Sequence, residues 1–162
     1  MINTWLNWID HTTVGTAIRE STWLFPFIET FHLFGIVSLV ASTSILDLRL
    51  LGIGPMRHWP VSKLTKRLLP WAWWGFAVQL VSGLLMTSSE SLKNYHNPAF
   101  RLKMLLILLA AFNFWLFHAS SYKRVADWDT DRVSPLPARL AGMFSILLWF
   151  GIVAAGRFIA FY

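Results

Sequence analysis

The chain has 162 residues, 56% of them hydrophobic and 16% aromatic. Only 14% are charged, against the ~25% typical of soluble domains. The formal charge of +6 comes from Lys and Arg that flank apolar runs, which points to membrane topology and anionic lipid and away from nucleic acid; with no cysteine, disulfides, thiolate metal sites and cysteine catalysis are excluded.

Residues 1–21 read as amphipathic. Ile2, Trp5, Leu6 and Ile9, then Val14, Ala17 and Ile18, recur at helical spacing, with Asn3, Asn7, Asp10 and Arg19 between them. The stretch is too polar to span a bilayer, so an interfacial helix is expected. It lacks a basic leader, and Asp10 and His11 break its apolar run, so it does not read as a cleavable signal.

Four apolar runs follow. The first covers about 23–45 and holds two ionisable residues, Glu29 and His32. A basic, Gly- and Pro-containing stretch, GIGPMRHWPVSKLTKRLLP, reads as a loop. The second run covers about 71–86, with Pro70 as a first-turn residue and Trp71, Trp73 and Trp74 as an interfacial belt. After a polar loop the third covers about 102–118. A loop carrying Asp127, Asp129 and Asp131 precedes the fourth, about 140–158. Each run is long enough for a hydrocarbon core of ~30 Å or close to it. The expected fold is an all-α membrane four-helix bundle in one domain, 1–162, with an N-terminal interfacial helix.

Orientation follows from the Lys and Arg count. Arg49, Arg57, Lys63, Lys66, Arg67, Lys123, Arg124, Arg132 and Arg139 fall on one side of the membrane; Arg19, Lys93, Arg101, Lys103 and Arg157 fall on the other. The nine-cation side is expected to be cytoplasmic and both termini to face outward. In a bacterial cell that is a multi-pass protein of the inner membrane.

An ionisable residue inside a bilayer is expensive and therefore a functional candidate. Glu29 and His32, three apart, are expected on one helix side, with Gly35 a turn on leaving room for a flat ligand. Read blandly, the same pair is a core histidine bonded to Glu29. The second run places Gly75, Gln79, Ser82 and Met86 on one stripe. Lys103 heads a stripe with Ala110 and Asn113 in the third, and Arg157 lies near the end of the fourth. Arg101 and His96 lie just above. Each cation alone reads as snorkelling to the interface, and Met86 and Gln79 alone read as packing; together they form a site. Haem b suits it. Histidine is the usual axial ligand, bundle cores host such groups, and Lys or Arg pairs with propionates. His32 is the expected metal ligand. Lys103, His96 or Met86 is near enough in depth for the sixth position, which is otherwise open. His118 and His58 read as surface histidines, and the acidic run as a solvated turn that lacks the Gly and Glu of a calcium loop.

The segments AIRES, WLFP, ETFHLFG, LDLRLLGI, NPAFRLK and GRFIA resemble an uncharacterised bacterial family of small four-span proteins over nearly the whole chain. FHLFGIV, an arginine ending the first span, a lysine opening the third and a histidine closing it are similar to haem-binding membrane protoporphyrinogen oxidases and to copper-resistance D-like proteins. The oxidase resemblance implies functional roles for His32 and Lys103; Asp47 departs from the oxidase pattern. Three readings follow. One is a haem b electron-transfer subunit whose partner is a periplasmic or membrane redox protein or a quinone. Another is a non-redox protein that binds copper or another periplasmic solute, or an accessory subunit of a larger complex. The third is a protoporphyrinogen oxidase-like enzyme.

Overall fold

A computed structural model describes residues 11–161. The elements in chain order are α1 (Thr13–Glu20), α2 (Leu24–Leu50), α3 (Val61–Ser89), α4 (Ser91–His96), α5 (Pro98–Ala119), a 3-10 turn (Tyr122–Asp127), α6 (Leu136–Phe158) and a terminal 3-10 turn (Ile159–Phe161). Four of them, α2, α3, α5 and the last helix with its terminal turn, are long and apolar enough to cross a membrane. The protein is an all-α four-helix bundle of the multi-pass membrane class. Large apolar side chains face outward along all four, among them Phe34, Leu84, Leu108 and Phe150. A bilayer would cover that girdle, which water would not tolerate as one patch.

Three helices, α1, α2 and α5, begin where short polar side chains satisfy free N–H groups. Thr12 Oγ1 accepts from Gly15 N at 3.2 Å. Ser21 Oγ accepts from Leu24 N at 3.2 Å. Asn97 Oδ1 accepts from Ala99 N at 2.9 Å, and Pro98 follows as a first-turn residue with no N–H to lose. The leading part of the expected interfacial helix, with Ile2, Trp5, Leu6 and Ile9, lies outside the described residues. Its trailing part is α1, which buries Ile18 and is tied to the end of α3 by Arg19 Nη1 donating to Ser89 O at 3.0 Å.

Helix α3 starts at Val61, ten residues before the expected span. Its charged first turns, with Lys63, Lys66 and Arg67, project beyond the apolar stretch. Asp129 is the reason it can start there: Oδ1 accepts from Ser62 N at 2.7 Å and Oδ2 from Ser62 Oγ at 2.6 Å. Within the acidic run Asp129 is therefore a helix cap, while the Asp127 and Asp131 side chains are exposed as a solvated turn would have them. Arg49, buried, holds the same corner, donating through Nε to Trp59 O at 2.7 Å and through Nη2 to Asp131 O at 3.0 Å. Pro70 falls inside α3. Ser38 Oγ, from the middle of α2, donates to Trp71 O at 2.9 Å. Trp71, Trp73 and Trp74 thus lie near mid-height of the bundle and not at its rim, so they do not form the interfacial belt expected from the sequence.

Helix α2 packs chiefly on α3, α5 on α6, and α6 returns to α2. Glycines allow the closest approaches. A Cβ on Gly75 would lie 2.7 Å from Leu39 N, and one on Gly142 would lie 3.0 Å from Asp47 O. The seam between α3 and α5 is the loosest of the four; there Trp73 and Phe114 meet edge to face at 6.3 Å. The buried core sits at the nine-cation end, where Leu50, Val61, Phe117, Trp128 and Ala138 cluster under the 3-10 turn.

Candidate functional site

His32 is half-buried on the side of α2 that faces α3. Its ring lies over Gly83, where an added Cβ would stand 3.5 Å from His32 Cε1. Two residues of the α3 stripe, Gln79 and Ser82, hold it. Gln79 Nε2 donates to the His32 carbonyl, Ser82 Oγ donates to the Val78 carbonyl, and His32 Nδ1 lies 2.8 Å from Ser82 Oγ. A serine hydroxyl has one proton, and here it goes to Val78. The bond between the ring and Ser82 therefore needs its proton from Nδ1. That fixes the tautomer: Nδ1 carries the hydrogen and Nε2 carries the lone pair. Hydrogen bonding at one ring nitrogen commonly prepares the other to ligate.

Lys103, half-buried near the start of α5, lies along Gly156 of α6, where an added Cβ would stand 3.6 Å from Nζ. It is within electrostatic reach of His32, and no hydrogen bond engages its Nζ among the described residues. The bundle thus brings together a lone-pair nitrogen and an ammonium in one half of its interior. Met86 is half-buried on the same stripe as Ser82.

The other neighbours expected at this site are placed differently. Glu29 is exposed, and no hydrogen bond joins it to His32. Three residues advance a helix by about 300°, so the two directions differ by roughly 60°, and the turn of α2 that aims His32 inward leaves Glu29 outside. The Glu29–His32 pair expected from spacing is not formed. Gly35 does not leave a crevice: a Cβ there would meet Val78 Cγ1 at 3.0 Å and Gly75 O at 3.1 Å, so α3 fills the space itself. Arg101, Arg157 and His96 are exposed around the rim of this half.

The opposite half holds a feature that residue spacing did not lead us to expect. A cavity of about 230 Å³ lies there among α2, α3, α5 and α6. Its wall is mostly apolar, with Asp47, Asn113, Ser145 and His118 as polar members. His118 is half-buried and not a free surface residue: its ring packs against Phe114, Phe117 and Tyr122 at 4.1, 5.2 and 5.0 Å between centroids. A signal exists in the sequence, since an aspartate inside an apolar run is rare, but Asp47 stands close enough to Arg49 to read as the end of the span.

Over residues 5–162 the chain matches a family described as DUF6644, family of unknown function. The chain belongs to this family. Neither a curated protein nor a solved structure matches it. For this DUF6644 member the chemistry has to be argued from the side chains. Among the described residues no three His, Asp or Glu converge as a metal site. A metal held in this half by the described His, Asp and Glu side chains would lack a full ligand set. A porphyrin brings four nitrogens of its own and asks the protein for one or two more. In such a site His32 Nε2 would be the nitrogen the chain supplies, and Lys103 would be the cation available to a propionate.

Proposed function

We propose that this protein is a haem b-binding membrane redox subunit with His32 as axial ligand. The observation that carries the reading is the tautomer set by Ser82, which leaves the His32 Nε2 lone pair uncommitted, with Lys103 within electrostatic reach in the same half of the bundle. Haem, when bound, supplies one-electron chemistry. The chain's own residues do the rest. Ser82 holds the imidazole in one orientation, Gln79 ties the His32 backbone to α3, the ring lies against Gly83, and Lys103 offers a positive charge for a propionate. Arg101 and Arg157 add positive potential at the rim.

The proposed setting is the bacterial inner membrane, with the His32–Lys103 half toward the outside and the nine-cation end in the cytoplasm. Purified protein expressed with ample haem should show a Soret band that His32→Ala removes. Activity on protoporphyrinogen, measured on the same preparation, tests the enzymatic reading suggested by the first-span histidine and third-span lysine.

A further inference from the structure

The cavity at the nine-cation end carries its own chemistry, independent of haem at His32. Two of its lining residues, Asp47 and His118, each hold a buried polar atom with no hydrogen-bond partner: Asp47 Oδ2 and His118 Nε2. Asp47 is only 6% exposed. Leaving such a group unsatisfied costs about 1–3 kcal/mol, and more when it is charged.

The sense of both atoms follows from their surroundings. His118 Nδ1 lies 3.0 Å from the Phe114 carbonyl, which only accepts, so Nδ1 is the donor and Nε2 holds the lone pair. Asp47 Oδ2 likewise accepts, either as an ionised carboxylate oxygen or as the carbonyl oxygen of the neutral acid. The cavity therefore presents two hydrogen-bond acceptors. Two side-chain donors line the cavity: Asn113 Nδ2 donates to Ala141 O at 2.9 Å, and the Ser145 hydroxyl faces the Asp47 carboxyl, yet Asp47 Oδ2 stays without a partner. Trp149 adds an aromatic wall from α6. Trp73, Phe76 and Phe114 line the cavity yet are also exposed on the outer surface, at the loose seam between α3 and α5. The cavity thus reaches the face that lipid covers.

A ligand that fits these terms enters from the lipid phase, has a flat apolar body and donates two hydrogen bonds. We propose that the Asp47–His118 cavity is a binding site for a quinol, with its two hydroxyls donating to Asp47 Oδ2 and His118 Nε2.

The test is calorimetric titration of the full-length protein in detergent with tetramethylhydroquinone, kept reduced under anaerobic conditions. The control ligand is its dimethyl ether, which has the same ring and no O–H. Saturable binding of the hydroquinone, roughly tenfold or more tighter than the ether, is expected for the loss of one or two such bonds. Equal affinity for the two, or no binding of either, overturns the proposal without recourse to any variant. Asp47→Leu and His118→Leu should each weaken hydroquinone binding by about tenfold with helix content and elution volume unchanged. His32→Ala should leave it as it was. Undiminished binding in both leucine variants, or loss confined to His32→Ala, contradicts the assignment. Haem-free protein serves equally, so failure here and failure of the haem reading are separate results.

Discussion

His32 Nδ1 donates its proton to Ser82 Oγ across 2.8 Å, because the serine has already committed its own proton to the Val78 carbonyl. One hydroxyl on α3 thereby decides the chemistry of a ring on α2. It turns His32 into an imidazole whose outer nitrogen is a base, a hydrogen-bond acceptor or a metal ligand.

On the haem proposal, removing that hydroxyl should be felt at the bound group. In Ser82→Ala, Nδ1 loses its acceptor, the ring is free to rotate, and the tautomer is no longer fixed. Haem affinity should fall by roughly tenfold or more, the usual scale for a lost outer-shell partner. Haem titration of the purified variant, followed at the Soret band, measures this. Wild-type affinity in Ser82→Ala would show that the serine merely packs.

The α2–α3 contact makes a steric prediction. Gly75→Val would press a Cβ to within 2.7 Å of Leu39 N and 2.8 Å of Gly35 O, both backbone atoms that cannot swing aside. Little monodisperse protein should be recovered after detergent extraction. Gly83→Ala meets only the edge of the His32 ring at 3.5 Å, an ordinary contact, and should extract normally. Equal yields would mean that the two helices lie further apart.

The cap on α3 predicts a stability effect far from any cofactor. Asp129→Ala leaves the Ser62 N–H and hydroxyl without their acceptor and should cost about 1 kcal/mol. A lower thermal midpoint in detergent is the readout. Lys123→Ala, at an exposed position in the adjoining turn, is the control and should leave the midpoint unchanged.

Topology is tested by fusion. Reporters at Thr130 should be active in the cytoplasm, and reporters at the C-terminus should be active only outside. The prediction rests on nine Lys and Arg at one end of the bundle against five at the other. Cytoplasmic activity of the C-terminal fusion would reverse the orientation.

The four spans are legible in the sequence because apolar length alone identifies them, and the inward stripe of Gly75, Gln79 and Ser82 follows from helical period. What is not legible depends on packing. Lys63, Lys66 and Arg67 read as loop because charge normally ends a span, whereas Asp129, distant in sequence, lets α3 begin among them. Gly35 reads as room for a ligand because spacing does not say which neighbour fills a gap; Val78 and the Gly75 backbone do. His118 falls at the expected end of its helix, but the 3-10 turn that folds Tyr122 over it has no signature in the residues before it. Glu29 and His32 show the limit of an i, i+3 argument, since a difference of roughly 60° separates an inward side chain from an outward one.

The most direct test of the account is the absorption spectrum of the purified protein, expressed with ample haem, beside that of His32→Ala. The account predicts a Soret band and reduced-minus-oxidised bands of haem b in the wild type. It predicts their near-complete loss in His32→Ala, with the variant still inserted in the membrane, because insertion depends on apolar length. Lys103→Ala should weaken haem retention or shift the bands. Wild-type protein free of porphyrin, or a spectrum that survives His32→Ala and vanishes in His118→Ala, would contradict it.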